Sequence, residues 1–497
     1  MIRFQSTRNS SESAAAHTAV IRGLASDGGL YTPAEIPAHI DPSEVIGLSY
    51  PETAKKIIGS ILDDYTDEEM HQCVYGAYDS KFDTEEIVPL KKISDSFLME
   101  LWHGPTSAFK DIALTLLPRL LTTAYNKDSR TDVISILTAT SGDTGKAAIS
   151  GFADVPNTAI TVFYPEVGVS AVQKKQMATS AGKNVEVIAV KGNFDDCQRM
   201  VKEAMSDEEV KASLKNVALS SANSINIGRL VPQVVYYYSS YAKIVERNEI
   251  KCGDPVNFVV PTGNFGDILA GYFAKLLGLP VNRLICASNT NNVLTDFLKT
   301  GVYSVKRPFH TTMSPSMDIL ISSNLERLLY MMSGYDDAFT AEMMKKLKEE
   351  GSYTVPEEIM EKIRNVFAGC WTDEETCASV IHDLYTEENT LIDPHTSVAL
   401  GALRSYRKET NDCTPAVVLS TASPYKFCHD VLKCISGEDV ADDFDAMDRL
   451  HELTGVPVPK NLASLREMPV RFTRSIEIAD GMHVIAKRME EIGNAAD

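Results

Sequence analysis

The sequence predicts an α/β protein with largely parallel sheets. Three observations carry this. Strand-like apolar runs recur at 97–102, 133–137, 158–163, 185–190 and 256–260, each followed by a helix-like segment. Several of these runs end in loops dense in glycine and hydroxyl residues, the place where such folds bind ligands. The composition is that of an ordered globular chain, with 44% hydrophobic and 23% charged residues over 497 positions, enough for two or three packed units.

Taken in order, residues 1–95 read as a separate mixed α+β unit. Gly28-Gly29-Leu30-Tyr31-Thr32-Pro33 is a turn signal, and Pro42 to Asp67 reads as helices with acidic loops. Residues 96–440 form the α/β region, with a helix expected over 112–124 and a smaller α/β domain nested at about 130–230. Residues 323–390 are helix-rich and acidic, and Val417-Val418-Leu419-Ser420-Thr421 is a late strand ending in hydroxyls. Residues 441–497 read as a helical or extended C-terminal segment. No internal repeat is visible.

The bulk numbers exclude several function classes. A formal net charge of -20 argues against nucleic acid or an anionic membrane as the main partner. The best apolar run, Ile112 to Leu121, is broken by Pro118 and Arg119, so no transmembrane helix is expected. The N-terminus lacks a signal-peptide core, and nine cysteines without a CxxC pair or zinc spacing read as reduced thiols. A cytoplasmic enzyme without a metal cluster is the expectation.

Three loops could carry chemistry. In His103-Gly104-Pro105-Thr106-Ser107-Ala108-Phe109-Lys110-Asp111, a single lysine stands at a helix head, where desolvation and the helix field would favour its neutral, nucleophilic amine. Taken alone, Lys110 also reads as an ordinary surface lysine. In Thr138-Ala139-Thr140-Ser141-Gly142-Asp143-Thr144-Gly145-Lys146, N–H groups and hydroxyls make an anion cup. A P-loop is ruled out there, because Thr140 replaces its first glycine and Ala147 follows the lysine. Pro261-Thr262-Gly263-Asn264-Phe265-Gly266-Asp267 is a second cup, in which Asp267 is unfavourable beside a dianion unless it caps the helix. A polar string, Asn223, Ser224, Asn226 and Arg229, offers an arginine fork to an oxyanion. His395 reads as structural.

These loops together resemble the threonine synthases, and more broadly the fold-type II pyridoxal-phosphate enzymes related to the tryptophan synthase β-subunit. The likeness extends to Phe4–Arg8, Gly23–Tyr31, Ser314–Ile319, Asp393–Thr396 and Ser420–Phe427. It implies pyridoxal 5′-phosphate as a Schiff base on Lys110. It implies that Gly263, Asn264, Phe265, Gly266 and Asp267 hold the cofactor phosphate and that Thr421 bonds the ring nitrogen. It implies that Ser141, Gly142, Asp143 and Thr144 cradle a substrate carboxylate, with Ser224, Asn226 and Arg229 on the substrate phosphate. The activity implied is conversion of O-phospho-L-homoserine and water to L-threonine and phosphate. The rivals are another enzyme of the fold, such as a serine/threonine dehydratase, and an inactive ligand-binding relative. Lys146 departs from the pattern, since a small residue is expected beside the substrate loop.

Overall fold

Buried β-branched and aromatic runs pair in parallel here because helices cover both faces of each sheet. In the computed structural model, which describes residues 1–496 apart from Ser141, Val167, Gly168 and Ser206 (backbone alone for Asp195 and Ala496), two such sheets dominate. The larger has the order Phe367–Trp371, Val281–Ser288, Val256–Pro261, Ala416–Ser420, Ser96–Glu100, Leu90–Ile93. Its pairings are parallel except the last, a hairpin. The smaller has the order Ser475–Glu477, Val185–Lys191, Thr158–Pro165, Val133–Ala139, Val217–Ser221, parallel throughout. Every residue of Thr158–Pro165 and Val256–Pro261 is buried, as expected of central parallel strands.

Two of the expected boundaries are corrected. Residue 95 falls inside the hairpin formed by Leu90–Ile93 and Ser96–Glu100, so the large sheet begins before it. The C-terminal segment is not a separate appendage. Ser475–Glu477 adds an edge strand to the smaller sheet, and Val484, Ile485, Met489 and Ile492 of the helix Gly481–Ala496 pack with Phe163, Ile188 and Met200. An isolated terminal helix with one apolar face gains stability only by such burial, about 1.5–3 kcal/mol per large side chain.

The helix expected over 112–124 is two helices, Lys110–Leu114 and Leu117–Lys127. Pro118 is the physical reason, since its ring excludes the carbonyl of Leu114 and it has no N–H to donate. The freed Leu114 carbonyl lies against Gly151 of the helix Asp143–Phe152, where an added Cβ would stand 2.0 Å from it. Proline and glycine together let two site-bearing helices approach closely.

The helix Ile227–Glu246 is buried along most of its length, including Tyr236, Tyr237, Tyr238 and Tyr241. It contacts both the Lys110 helix and the helix Gly266–Leu276. The N-terminal unit pairs Ser13–Ala14 and Tyr31–Pro33 with Phe4–Ser6, all antiparallel. Among the described residues no helix is long and apolar enough to cross a membrane.

Candidate active site

The loop before Lys110 is zipped to the end of a distant strand. The Phe109 N–H donates to the Thr421 carbonyl at 2.8 Å, the Ser423 N–H donates to Ser107 at 3.1 Å, and Ala108 bridges Ala422. This backbone ladder brings Lys110 and Thr421 to one cavity although they lie far apart in sequence. Ser107 holds a left-handed φ of 59° to make the turn. Asp111 folds back on Thr106, accepting from its N–H at 2.8 Å and its hydroxyl at 2.6 Å, and burial pushes its carboxyl up to about 6.

The Lys110 side chain is 12% exposed. Burial pushes its amine below the usual lysine range; nearby Asp143 opposes that shift, and Lys426 and Arg229 add to it.

On the opposite wall, Gly263 to Asp267 lead into the helix Gly266–Leu276. Phe265 holds φ 62°, a left-handed backbone that is costly without glycine and that turns the loop at the helix start. An added Cβ on Gly263 would stand 2.6 Å from the Ser316 carbonyl, so no side chain fits there. Ser322 donates to the Gly263 carbonyl at 2.8 Å, and Asn324 donates twice to the Asn264 carbonyl, at 3.1 and 3.0 Å. The loop's carbonyls are therefore engaged from behind. The Asp267 carboxyl turns away into the tyrosines, accepting from Tyr237 at 3.0 Å and from Tyr236. Burial pushes it up to about 7.

Arg229 also lines the cavity and is 2% exposed. Its guanidinium donates to the Ala222 carbonyl, while its Nε has no partner and no carboxylate is paired with it among the described residues. Burial pulls its pKa down to about 10. A buried cation with spare donors is a site for an anion. Ser224 lines the same cavity and accepts from Asn324 at 3.2 Å.

Residues 3–78 match the family described as "Threonine synthase N terminus", residues 86–359 "Pyridoxal-phosphate dependent enzyme", and residues 396–485 "Threonine synthase, C-terminal". The threonine synthase of Pseudomonas aeruginosa is 38% identical over 467 residues, covering 90% of this chain and 95% of that protein. A solved structure described as PLP-bound threonine synthase from Brucella melitensis superposes with TM-score 0.87 at 34% identity, covering 99% of this chain and 100% of that one. The chain belongs to the threonine synthase family. It also resembles human "Threonine synthase-like 1", at 36% identity over 459 residues, and spans 61% of that longer protein's length.

As a member of the threonine synthase family, the chain has pyridoxal phosphate as its expected cofactor, and the residues present fit that group. A desolvated lysine, a loop with no room for a side chain at Gly263, and the Thr421 hydroxyl all face one cavity. Among the described residues no cluster could hold a metal ion.

Four expected site residues stand differently. Ser141 lies outside the described residues. Asn226 is turned away from the cavity: its amide donates to the carbonyls of Val20 and Ser221 at 3.0 and 3.1 Å, and its oxygen caps Gly228 at 2.9 Å. Asn223 lines the cavity in its stead. The N–H of Gly142 is used internally, donating to the Thr140 hydroxyl at 2.9 Å. The Asp143 side chain is held by Gln173 and Lys426, with Lys110 at 3.6 Å, and its carboxylate cannot itself cradle another. Thr144 lines the cavity as expected of its loop. Lys146 points elsewhere, donating to Ser180 at 2.9 Å, and burial pulls its amine down to about 8.

Two residues escaped the sequence reading. His395 lines the cavity, bonded at Nδ1 to Asp393 at 2.6 Å and at Nε2 to the Ser316 N–H at 3.2 Å. Lys426 is wholly buried behind Asp143. The Asp-Pro-His-Thr spacing was a usable signal for the first, since an aspartate at a helix N-cap can orient a histidine two residues on, within the first turn. A lone lysine in Pro424–Phe427 carried none.

Proposed function

We propose that this chain converts O-phospho-L-homoserine and water to L-threonine and phosphate, with pyridoxal phosphate carried covalently on Lys110. One observation carries the reading: the desolvated Lys110 and the buried, carboxylate-free Arg229 share a cavity with the Gly263–Asp267 loop. That arrangement supplies a nucleophilic amine and two separate anion sites, which a phosphorylated amino acid requires and a phosphate-free one does not.

The cofactor, when bound, supplies an electron sink for carbanions at the substrate Cα and Cβ. The chain's own residues do the rest. Backbone N–H groups of Gly263 to Gly266 hold the cofactor phosphate at a helix start, and the Thr421 hydroxyl meets the ring nitrogen. Ser141, Thr144 and the helix-start N–H groups of Asp143 and Thr144 cradle the α-carboxylate, with Gly142 giving the turn, while Arg229 and Ser224 take the substrate phosphate. Arg229 orients that phosphate for departure from Cγ, and water adds at Cβ. Lys110 takes the proton from Cα and returns protons on the reacting face. Burial raises the Asp267 carboxyl to about 7, which lessens the negative charge near the cofactor phosphate. The nine cysteine thiols, none in a disulfide, support a reducing cytoplasm as the setting.

The test is release of inorganic phosphate, with equimolar L-threonine, from O-phospho-L-homoserine. Turnover of serine or threonine with no phosphate release from O-phospho-L-homoserine would replace this reading by the dehydratase one.

A further inference from the structure

Behind the cavity lies a charge arrangement that the reaction as described does not use. Asp143 is 3% exposed at the start of the helix Asp143–Phe152. One of its oxygens, Oδ1, accepts from Gln173 Nε2 at 2.8 Å and meets the Lys426 ammonium. The other, Oδ2, faces Lys110 Nζ at 3.6 Å and accepts from the Ser316 hydroxyl at 3.5 Å. Lys426 is 0% exposed, and it donates further to the Thr106 carbonyl at 3.2 Å, within the loop that carries Lys110. One carboxylate is thus shared by two lysines from different elements.

The charge count decides what this arrangement does. With all three groups ionised, the cluster carries one uncompensated positive charge in a desolvated site, and buried Arg229 stands nearby without a carboxylate. An unpaired buried charge costs several kcal/mol. Within this trio the one carboxylate offsets only one lysine; Asp111, which also faces Lys426, is opposed by Lys146. Lys426 has the shorter contact to Asp143 and a carbonyl partner besides, so it is the lysine that engages the carboxylate. Lys110, farther from the carboxylate and open to the cavity, is the one that gives its proton up.

We propose that Asp143 and Lys426 are a positioning pair for Lys110: Lys426 occupies the carboxylate that would otherwise capture the Lys110 amine, leaving that amine free to take its neutral form. The proposal rests on the reading of Lys110 as the cofactor lysine. It also gives the aspartate of the Gly142-Asp143 loop a role other than substrate contact. The charged groups facing Lys110 are Asp143 from the helix Asp143–Phe152, Lys426 from the turn Pro424–Phe427, Arg229 from the helix Ile227–Glu246 and Asp267 from the helix Gly266–Leu276. Burial pushes the Asp143 carboxyl up, but Lys426 and Lys110 more than offset that and hold it far below the usual carboxylate range. Lys146, which faces Asp111 and Lys426, is bonded to Ser180 instead.

The experiment uses the full-length chain freed of cofactor. Pyridoxal phosphate is added over a pH series and the rate of lysine attachment is followed by visible absorbance. Borohydride fixation and peptide mapping then identify the modified lysine. Attack requires the neutral amine, so the rate rises with pH through the titration of Lys110. Lys426→Met frees Asp143 for Lys110 and moves the profile to higher pH. Asp143→Asn removes the counter-ion and moves it to lower pH. An opposite charge at this range is worth on the order of one pH unit or more, about tenfold in rate at fixed pH. Lys426→Arg restores the wild-type profile, which a purely structural role for the ammonium would not require. Lys426→Met leaves a buried carboxylate short of a partner, so folding is checked by circular dichroism. If it does not fold, Asp143→Asn and the double variant Asp143→Asn/Lys426→Met carry the test, with the double variant falling between wild type and Asp143→Asn. Folded variants labelled at Lys110, with profiles coinciding with wild type or shifted in one common direction, would overturn the proposal. A label on another lysine would instead overturn the assignment of Lys110, and the proposal with it.

Discussion

Two loops of this molecule carry the same local sequence, Gly-Asp at the start of a helix, and treat the aspartate in opposite ways. In Gly266-Asp267 the carboxyl is buried against Tyr236 and Tyr237, and burial pushes it up to about 7, with Lys110 opposing the shift only weakly. In Gly142-Asp143 the carboxyl is equally buried but shared by Lys426 and Lys110, and is held ionised. The helix start is common to both, so the helix field does not decide the charge. The side chains behind each loop do, as in any site where two carboxyls are tuned apart. On the proposed reading the Asp267 loop takes a phosphate, its own carboxyl being raised toward the protonated form. The Asp143 loop, as proposed above, sets the state of Lys110.

On the proposed reading the substrate phosphate goes to neither loop but to Arg229, which gives the largest expected effect. Arg229→Ala should lower kcat/KM for O-phospho-L-homoserine by about 2–5 kcal/mol in transition-state terms, while the variant still takes up cofactor on Lys110. Steady-state kinetics with cofactor titration separate the two effects. Near-wild-type turnover would mean that one of the loops holds that phosphate after all.

The next effect concerns how the Gly263–Asp267 loop binds. Its anion contacts come from backbone, so Gly263→Val, with its side chain driven toward the Ser316 carbonyl, should weaken cofactor affinity on the order of a hundredfold while secondary structure is kept. Equilibrium titration of the cofactor-free chain measures this. Unchanged affinity would remove the loop from the site.

The neutral state of Asp267 makes a pH prediction of the same loop. Its folded-state pKa is raised to about 7, so the carboxyl is protonated below that value and becomes an anion beside the phosphate as pH rises through it. Cofactor affinity should therefore fall several-fold between about pH 6 and pH 8, and Asp267→Asn should flatten the curve. An identical slope in the variant would assign the pH dependence to another group. The smallest effect is expected at Thr421, where Thr421→Val should slow turnover modestly and leave attachment to Lys110 intact, since only the ring-nitrogen contact is lost. Full activity with an unaltered spectrum would exclude that contact.

Much of this was legible in the sequence because it is local. Strands such as Thr158–Pro165 and the loops behind them follow from apolar runs ended by glycine and hydroxyl residues. Lys110 stood out as a cation at a helix start, the wrong end for a simple cap. What was not legible depends on contacts across the chain. Nothing local distinguishes Asn223, which reaches the cavity, from Asn226, which caps a helix and ties down Val20. The direction of Asp267 needs tyrosines from another helix, and Lys146 points to Ser180 because the helix Ala171–Ala178 ends beside it. Lys426 acquires meaning only when the turn that holds it folds behind Asp143.

The central claim is that one cavity joins a cofactor lysine to a site for a phosphorylated amino acid. It is tested most directly by incubating the pyridoxal-phosphate-loaded chain with O-phospho-L-homoserine and measuring phosphate and L-threonine together, beside the Lys110→Ala variant. Equimolar phosphate and threonine from the wild-type chain, with neither from Lys110→Ala, is the predicted result; no phosphate from the wild type, or undiminished product from the variant, would contradict it.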